Sequence, residues 1–541
     1  MNMQNTPFNL AQCIEHAGKY FSHQKVITRK VEDDTLHEIT YAEVLHRVRQ
    51  LANALQKLGV KQGDRVGTIA LNTYRHLEAW YAISGQGAVC HTINPRLSPA
   101  QMIYIINHAE DRFIFVDHIF WPLIEKLHPQ FPKVEGYIIL TDKEHMPTTA
   151  HDVKLYCYEE LIEGESTEFT WPEFDENSGS SLCYTSGTTG NPKGVMYTHK
   201  SNLLHSYAAG STDGFGINSM DTILVVVPLF HANSWGISYL GPMVGANLIF
   251  PGKRMDGVAI FEVIDKYKAT SAAGVPTVWT NLLDFADKEG RKMESLRDVV
   301  VGGSAAPPWM FTAFKEKHDA ELLHAWGMTE TSPLGTMNRA IPQLDALPPE
   351  EKAKTRMKQG RPVFGIDLKI IDEEGNELPR DGEAVGHLLV KGNWVVHTYF
   401  GADKPAVNKD GWFDTGDMAT IDRFGYMEIV DRSKDLIKSG GEWISSVDME
   451  NLAMGHPEVL MAAAIALPHK KWGERPLLVV IPKEGQNPTK EGIKEHLKSE
   501  FADWQIPNDI VFVEEIPMTA TGKFSKLTLR DQFKDFYAEA E

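Results

Sequence analysis

Short apolar runs alternate with longer stretches of helical periodicity along roughly the first two thirds of the chain. The runs that predict buried strands are residues 65–71, 113–117, 222–227, 247–250 and 299–301. Residues 74–88 and 259–267 carry the spacing of apolar positions that is typical of helices. Strands that alternate with helices over such a length predict α/β layers with largely parallel sheets.

The pattern changes after about residue 360. Residues 367–372 and 386–391 read as strands, and the segment EEGN at 373–376 reads as a tight turn. These features predict a small β-rich subdomain that follows the αβ layers.

A charged segment, DRSKD at residues 431–435, comes directly after the strand-like residues 426–430. A charged stretch of this kind suits a hinge between domains. We therefore predict a large N-terminal domain over residues 1–431 and a small mobile α+β domain over residues 432–541, with the hinge near Lys434.

Composition excludes several classes of protein. The 541 residues exceed the length of one ordinary domain, and the net charge of −19 argues against a nucleic-acid partner. No apolar run approaches the roughly 18 residues that a membrane span requires. The cysteines have no metal-ligand spacing, which suggests reduced thiols and a cytoplasmic location. They are Cys13, Cys90, Cys157 and Cys183.

The most informative local segment is YTSGTTGNPKGV at residues 184–195. Glycines let backbone N–H groups approach phosphate oxygens, hydroxyls add hydrogen bonds, and a lysine adds charge. The spacing is not that of a Walker A loop. A phosphate-binding loop and a surface turn rich in Ser, Thr and Gly both remain open for such a segment taken alone. The candidate ligands are Thr185, Ser186, Gly187, Thr188, Thr189, Gly190 and Lys193.

Four further segments carry side chains suited to nucleotide chemistry. Each has a structural explanation when taken alone, because Asp417 could cap a turn and Glu330 or Lys523 could be a solvated surface charge. Their joint occurrence in this order favours function. The segments are HAWGMTETSP at 324–333, GWFDTGD at 411–417, DRSKDLIKSGGEWIS at 431–445 and PMTATGKFSK at 517–526.

With these motifs, the sequence resembles the adenylate-forming superfamily of acyl-CoA synthetases, peptide-synthetase adenylation domains and luciferases. The likeness runs from ITYAEV at 39–44 to Lys526. It is greatest to bacterial fatty-acyl-CoA synthetases, through INPRLS at 93–98, VGGSAAP at 301–307 and SGGEWISSVDMEN at 439–451. The chain is also similar to 3-methylthiopropanoate-CoA ligases.

The resemblance implies that an acid carboxylate attacks the α-phosphate of ATP and expels pyrophosphate. It implies that the loop from Thr185 to Lys193 holds the β- and γ-phosphates, and that Glu330 and Thr185 hold Mg²⁺. Thr329 is expected to contact the α-phosphate, and Lys523 to neutralise the charge that develops there.

The nucleoside is expected to bind elsewhere in the same site. By resemblance, Asp417 accepts hydrogen bonds from the ribose hydroxyls and Arg432 donates to the ribose. The residues expected around the adenine are Gly303, Ser304, Ala305, Trp326 and Gly327.

In the second step, the coenzyme A thiol attacks the acyl-adenylate. The family gives the thiol access by rotating the small C-terminal domain about a hinge, here at Lys434, so that Lys523 leaves the site. The residues expected near the coenzyme A arm are Lys438, Gly440, Gly441, Glu442 and Trp443. Close relatives also suggest a homodimer.

The acyl pocket is expected around the segment VPLFHANSWG. Its candidate residues are His231, Trp235, Gly302, Gly303 and Pro333. His231 has a second explanation, because a histidine beside apolar residues is often a satisfied core group. Many relatives have tyrosine in place of Trp326, and the larger ring would shorten the pocket.

The predicted substrate is a fatty acid of medium to long chain, with 3-methylthiopropanoate or another short acid as the alternative. An amino-acid-activating domain would usually carry an aspartate in the region of HANSW, which has none. Nothing in the sequence requires the oxygen chemistry of a luciferase. A non-catalytic nucleotide sensor on the same fold is a remote alternative, since Lys523 and Glu330 are both present.

Overall fold

Two large β-sheets dominate the computed structural model, which describes residues 3–185, 191–440, 442–519 and 523–537. The first sheet has seven strands, parallel except for the final pair. In spatial order the strands are Leu155–Cys157, Gly136–Ile139, Phe113–Val116, Arg65–Ile69, Val89–Thr92, Gly179–Tyr184 and Gly194–Thr198. The last two strands flank the loop that the sequence predicts to bind phosphate.

The second sheet has nine strands, with a parallel centre and antiparallel edges. In spatial order they are Arg361–Pro362, Leu334–Met337, Glu321–Gly327, Asp298–Val301, Ser271–Gly274, Thr222–Val225, Asn247–Phe250, Lys25–Arg29 and Leu36–Thr40. Apolar residues from both large sheets, such as Val66 and Val300, belong to one hydrophobic core.

Two smaller sheets follow along the chain. The antiparallel four-stranded sheet contains Ile366–Ile371, Gly386–Gly392, Phe413–Ile421 and Met427–Arg432. The five-stranded sheet contains Glu442–Ile444, Ile437–Ser439, Gly473–Pro482, Val459–His469 and Asp509–Phe512. The five-stranded sheet has a core of its own, which includes Ile437 and Ile510.

Fifteen α-helices surround these sheets in the part of the chain that the structure describes. They are Ala11–Tyr20, Tyr41–Lys57, Tyr74–Gly85, Pro99–Ala109, Trp121–Leu127, Tyr158–Ile162, His199–Gly210, Ile237–Val244, Gly257–Tyr267, Pro276–Glu289, Pro308–His318, Pro349–Met357, Ser446–Met454, Lys490–Leu497 and Lys526–Phe533. None of them, within the described residues, combines the length and apolar character needed to cross a bilayer.

Local sequence explains where the helix Tyr41–Lys57 begins and which face it buries. Thr40 and Glu43 form a reciprocal capping box, in which the Glu43 N–H donates to Thr40 Oγ1 at 3.3 Å. Val44, Val48 and Leu51 recur at helical spacing and are buried. Capping and burial together stabilise the helix against the sheet core.

The predicted α/β class, the β-rich subdomain and the α+β C-terminal region are confirmed. Several boundaries differ by a few residues from the sequence prediction, and two of them have a clear local cause. The helix expected over residues 74–88 ends at Gly85, because Gly87 has a left-handed φ of +86°. The strand expected to end at residue 430 continues to Arg432, because Arg432 pairs with Asp417 on the neighbouring strand. The domain boundary at residue 431 stays a prediction.

Candidate active site

A cavity of about 510 Å³ lies at the carboxyl ends of parallel strands in the nine-stranded sheet. Gly302 follows the strand Asp298–Val301, and Trp326 lies near the end of Glu321–Gly327. Ligands of open α/β sheets bind at this edge. The predicted site residues that line the cavity are Thr185, Lys193, His231, Trp235, Gly302, Gly303, Ser304, Ala305, Trp326, Gly327, Thr329, Glu330, Pro333, Asp417, Arg432, Lys434 and Lys523.

The Asp417 carboxylate is held from two sides. The indole Nε1–H of Trp326 donates to Oδ2 at 2.9 Å, and the Arg432 Nε lies 2.7 Å from Oδ1. Asp417 is buried, whereas the Arg432 side chain is partly exposed. The two donors fix the plane of a carboxylate whose remaining lone pairs can accept hydrogen bonds from a ligand.

Tyr399 joins two predicted phosphate-site residues. Its hydroxyl donates to Glu330 Oε1 at 2.8 Å, and Lys193 Nζ lies 4.9 Å from the centroid of its ring. Burial raises the pKa of the Glu330 carboxyl, and the hydrogen bond from Tyr399 opposes that rise. Sequence reasoning missed Tyr399, because no motif marks a tyrosine in the segment HTYFGAD.

Lys523 reaches this cavity from the C-terminal part of the chain. A Cβ at Gly303 would lie 3.6 Å from Lys523 Cε. Burial, followed by the positive charge of Arg432, lowers the pKa of Lys523 to about 8. The carboxylates of Asp417 and Glu330 act in the opposite direction. A compact positive charge therefore stands among the groups that the sequence assigns to ATP.

The side of the cavity where the sequence predicts the acyl pocket has an uncharged histidine and a large indole. Burial lowers the pKa of His231 to about 4, and the charge of Lys523 adds to this effect. His231 is therefore neutral near pH 7. Trp235 Cη2 would lie 3.0 Å from a Cβ at Gly302, so the indole covers that glycine closely. Phe215 and Leu334 also line the cavity and were not anticipated.

Two described families of protein domains match this chain. Residues 15–400 match the family described as AMP-binding enzyme, and residues 448–523 match the AMP-binding enzyme C-terminal domain. This chain is an AMP-binding enzyme.

Relatives of this AMP-binding enzyme span nearly its whole length. A 3-methylmercaptopropionyl-CoA ligase of Ruegeria lacuscaerulensis is 48% identical, with 98% of both chains covered. A medium-chain-fatty-acid–CoA ligase of Ectopseudomonas oleovorans is 44% identical, with 98% of this chain and 97% of that protein covered. Among solved structures, an anthranilate CoA ligase in complex with anthranoyl-AMP has a TM-score of 0.88 at 27% identity, and 99% of each chain is covered. The predicted membership of the adenylate-forming acyl-CoA synthetases is confirmed.

A second set of predicted residues lies outside the cavity of this AMP-binding enzyme. Lys438, Gly440, Glu442 and Trp443 do not line it, and the Trp443 side chain is 48% exposed. Gly440 has a left-handed φ of +62°, and its N–H donates to the Trp472 carbonyl at 2.8 Å. The predicted ligands that lie outside the described residues are Ser186, Gly187, Thr188, Thr189, Gly190 and Gly441.

Proposed function

We propose that this acyl-CoA synthetase activates acids of about three to ten carbons, a range that includes medium-chain fatty acids and 3-methylthiopropanoate. The observation that carries the proposal is the close cover of Gly302 by Trp235 in the cavity wall. A longer acyl chain would need the volume that this indole fills. The relatives named for 3-methylmercaptopropionyl-CoA and medium-chain acids support the same range, since 3-methylmercaptopropionate is another name for 3-methylthiopropanoate.

In the proposed first step, the ionised carboxylate of the acid attacks the α-phosphate of ATP and pyrophosphate leaves. An acid with a pKa of about 4 to 5 needs no general base at pH 7. Because His231 is neutral, it forms a part of the cavity wall that orients the acid but does not bind the negative charge of the carboxylate. Lys523 lowers the repulsion between the two anions, and Thr329 contacts the α-phosphate.

Asp417 and Arg432 bind the ribose in this proposal. Trp326 holds the Asp417 carboxylate in the plane of the site and forms one wall of the adenine pocket, together with Gly303 and Ser304. The buried carboxylate is a strong acceptor for the ribose hydroxyls, because charge-assisted hydrogen bonds are stronger than neutral ones.

Two oxygen ligands of the cavity suit Mg²⁺. The Glu330 carboxylate and the Thr185 hydroxyl both line it, and hard cations prefer such oxygens. Tyr399 donates to Oε1 of Glu330, which leaves Oε2 as the oxygen for a cation. A bound Mg²⁺ would neutralise phosphate charge.

In the proposed second step, the thiol of coenzyme A attacks the acyl carbonyl carbon and AMP leaves. Lys523 lies in the cavity, whereas Lys438, Gly440, Glu442 and Trp443 lie outside it. This separation supports a rotation of the C-terminal domain between the two steps, with Lys434 as the hinge. A homodimer, a cytoplasmic location and a role in lipid metabolism stay predictions of the sequence.

The test is AMP formation with coenzyme A over a series of acids from propanoate and 3-methylthiopropanoate to palmitate. The kcat/KM should rise with chain length, since each buried CH₂ contributes about 0.8 kcal/mol, and then fall sharply beyond about ten carbons. Trp235→Ala should move that break toward longer acids. Trp171→Ala is the matched control, because this indole donates a hydrogen bond to Glu15 and does not line the cavity. A rate that keeps rising to palmitate in the parent enzyme would contradict the short pocket.

A further inference from the structure

The segment that carries Trp235 has an unusual backbone. Ala232, Asn233, Ser234 and Trp235 have φ values of 43°, 52°, 51° and 54°, followed by Gly236 at 76°. Left-handed backbone is unfavourable for non-glycine residues and rare for a residue as bulky as tryptophan. All five residues are buried. Strain of this kind persists only where the surrounding structure enforces it.

A buried chain of side-chain amides holds the middle of this left-handed turn, residues 232–236. Asn233 Nδ2 donates to Asn202 Oδ1 at 3.0 Å. Asn202 Nδ2 in turn lies 3.0 Å from Ser180 Oγ and 3.1 Å from Ser181 Oγ. These serines belong to the strand Gly179–Tyr184 of the seven-stranded sheet. The left-handed turn is thereby tied to an interior strand of that sheet, next to its edge strand.

Two further contacts anchor the left-handed turn. Ser234 Oγ donates to the Val227 carbonyl at 3.1 Å. At Gly236, a Cβ would lie 2.6 Å from the ring of His205, so only glycine fits there. His205 Nε2 accepts the Leu334 N–H at 3.1 Å, and Leu334 lines the cavity. The contacts around the left-handed turn therefore extend to another wall residue of the cavity.

We propose that Asn202 and Asn233 are positioning residues that set acyl-chain specificity. They hold the left-handed turn, and the turn holds the Trp235 indole against Gly302, where the pocket ends. Neither asparagine lines the cavity, so each acts through Trp235. The role rests on the proposed acyl pocket. If the amide contact is lost, the turn is free to relax to right-handed or extended backbone, and the indole then moves away from Gly302.

The experiment compares Asn202→Ala, Asn233→Gly and Trp235→Ala with the parent enzyme over acids from butanoate to palmitate. Glycine tolerates positive φ, so Asn233→Gly removes the amide contact without adding backbone strain. We expect the ratio of kcat/KM for dodecanoate to that for butanoate to rise at least tenfold in Asn202→Ala. The rise should be smaller in Asn233→Gly, and the KM for ATP should stay within about twofold of the parent value.

A double variant separates positioning from general loosening. Asn202→Ala combined with Trp235→Ala should show no larger shift than Trp235→Ala alone, because both changes act through one indole. Asn9→Ala is the matched control, since Asn9 is a buried asparagine that bonds the Gly85 carbonyl away from the cavity. It should lower the melting temperature without changing the chain-length profile.

The outcomes are distinguishable. Unshifted profiles in Asn202→Ala and Asn233→Gly, beside a shifted profile in Trp235→Ala, would overturn the positioning role and leave the short pocket standing. Additive shifts in the double variant would also overturn it. An unshifted profile in Trp235→Ala itself would overturn the acyl pocket and the positioning role together.

Discussion

The indole N–H of Trp326 donates to Asp417 Oδ2 at 2.9 Å, while Arg432 occupies Oδ1 of the same carboxylate. The sequence suggested Trp326 as a stacking ring that shortens the acyl pocket. The structure shows that this residue also orients the carboxylate proposed to bind ribose. A phenylalanine would keep a ring at this position but would lose the donor.

Trp326→Phe should therefore weaken ATP binding. A hydrogen bond to a charged group is worth about 1.5–3 kcal/mol, which corresponds to roughly a tenfold to hundredfold loss of affinity. Calorimetric titration with ATP measures the effect. Asp417→Ala should weaken the free energy of ATP binding by about 2–4 kcal/mol. The double variant Trp326→Phe/Asp417→Ala should lose less than the sum of the two single losses. Unchanged affinity in Asp417→Ala would exclude the ribose assignment.

Lys523→Ala should separate the two half-reactions. Loss of one well-placed charge at a phosphoryl transition state can cost a factor of about 10³ or more, so overall activity should fall by that amount. Synthetic acyl-AMP with coenzyme A should still give thioester at a substantial rate. Equal loss in both half-reactions would show that Lys523 does not act at the phosphate.

The pH dependence of adenylation should report the same lysine. Lys523 is protonated below its pKa of about 8, and its charge is lost as the pH rises through that value. The kcat/KM for ATP should consequently be flat near neutrality and fall above about pH 8. His231, with a pKa of about 4, does not titrate in this range. Lys523→Arg keeps its charge, so a fall that persists near pH 8 in that variant would point to another group.

Tyr399→Phe should impair adenylation selectively. It removes the hydrogen bond to Glu330 Oε1 but keeps the ring beneath Lys193. Pyrophosphate release should fall about tenfold or more, and the affinity for ATP should gain less from added Mg²⁺ in a calorimetric titration. Tyr399→Leu also removes the aromatic ring and should lower the rate of pyrophosphate release further. Thioester formation from supplied acyl-AMP serves as the internal control, and a parallel loss there would indicate a general structural defect.

Lys434→Pro tests the proposed hinge. Proline fixes φ near −65° and restricts the preceding Ser433, so the C-terminal domain should be held in one orientation. Because Lys523 lies in the cavity, we expect single-turnover pyrophosphate release to persist while thioester formation from acyl-AMP is lost. Lys434→Ala, which leaves φ free, should retain both steps. Normal turnover of Lys434→Pro through both steps would exclude the hinge.

The strand and helix pattern was readable from the sequence because periodicity of apolar residues is local information. Residues 247–250 were predicted as a strand and form Asn247–Phe250, and the motifs that carry Glu330, Asp417 and Lys523 indicated nucleotide chemistry. Short segments of this kind keep their residue types and spacing wherever they lie in the fold. The sequence alone was therefore enough to identify the fold class and the superfamily, and many of its candidate site residues line the cavity.

Contacts between distant segments were decided only by the tertiary structure. Trp326 and Asp417 lie 91 residues apart, and Glu330 and Tyr399 lie 69 residues apart. Their meeting depends on sheet register and packing, which no local pattern encodes. The left-handed turn after His231 is a second case, because neighbours as remote as Asn202 enforce its backbone against the local preference of the residues. The reach of the proposed acyl pocket depends on that packing, and so it could not be derived from the residue types alone.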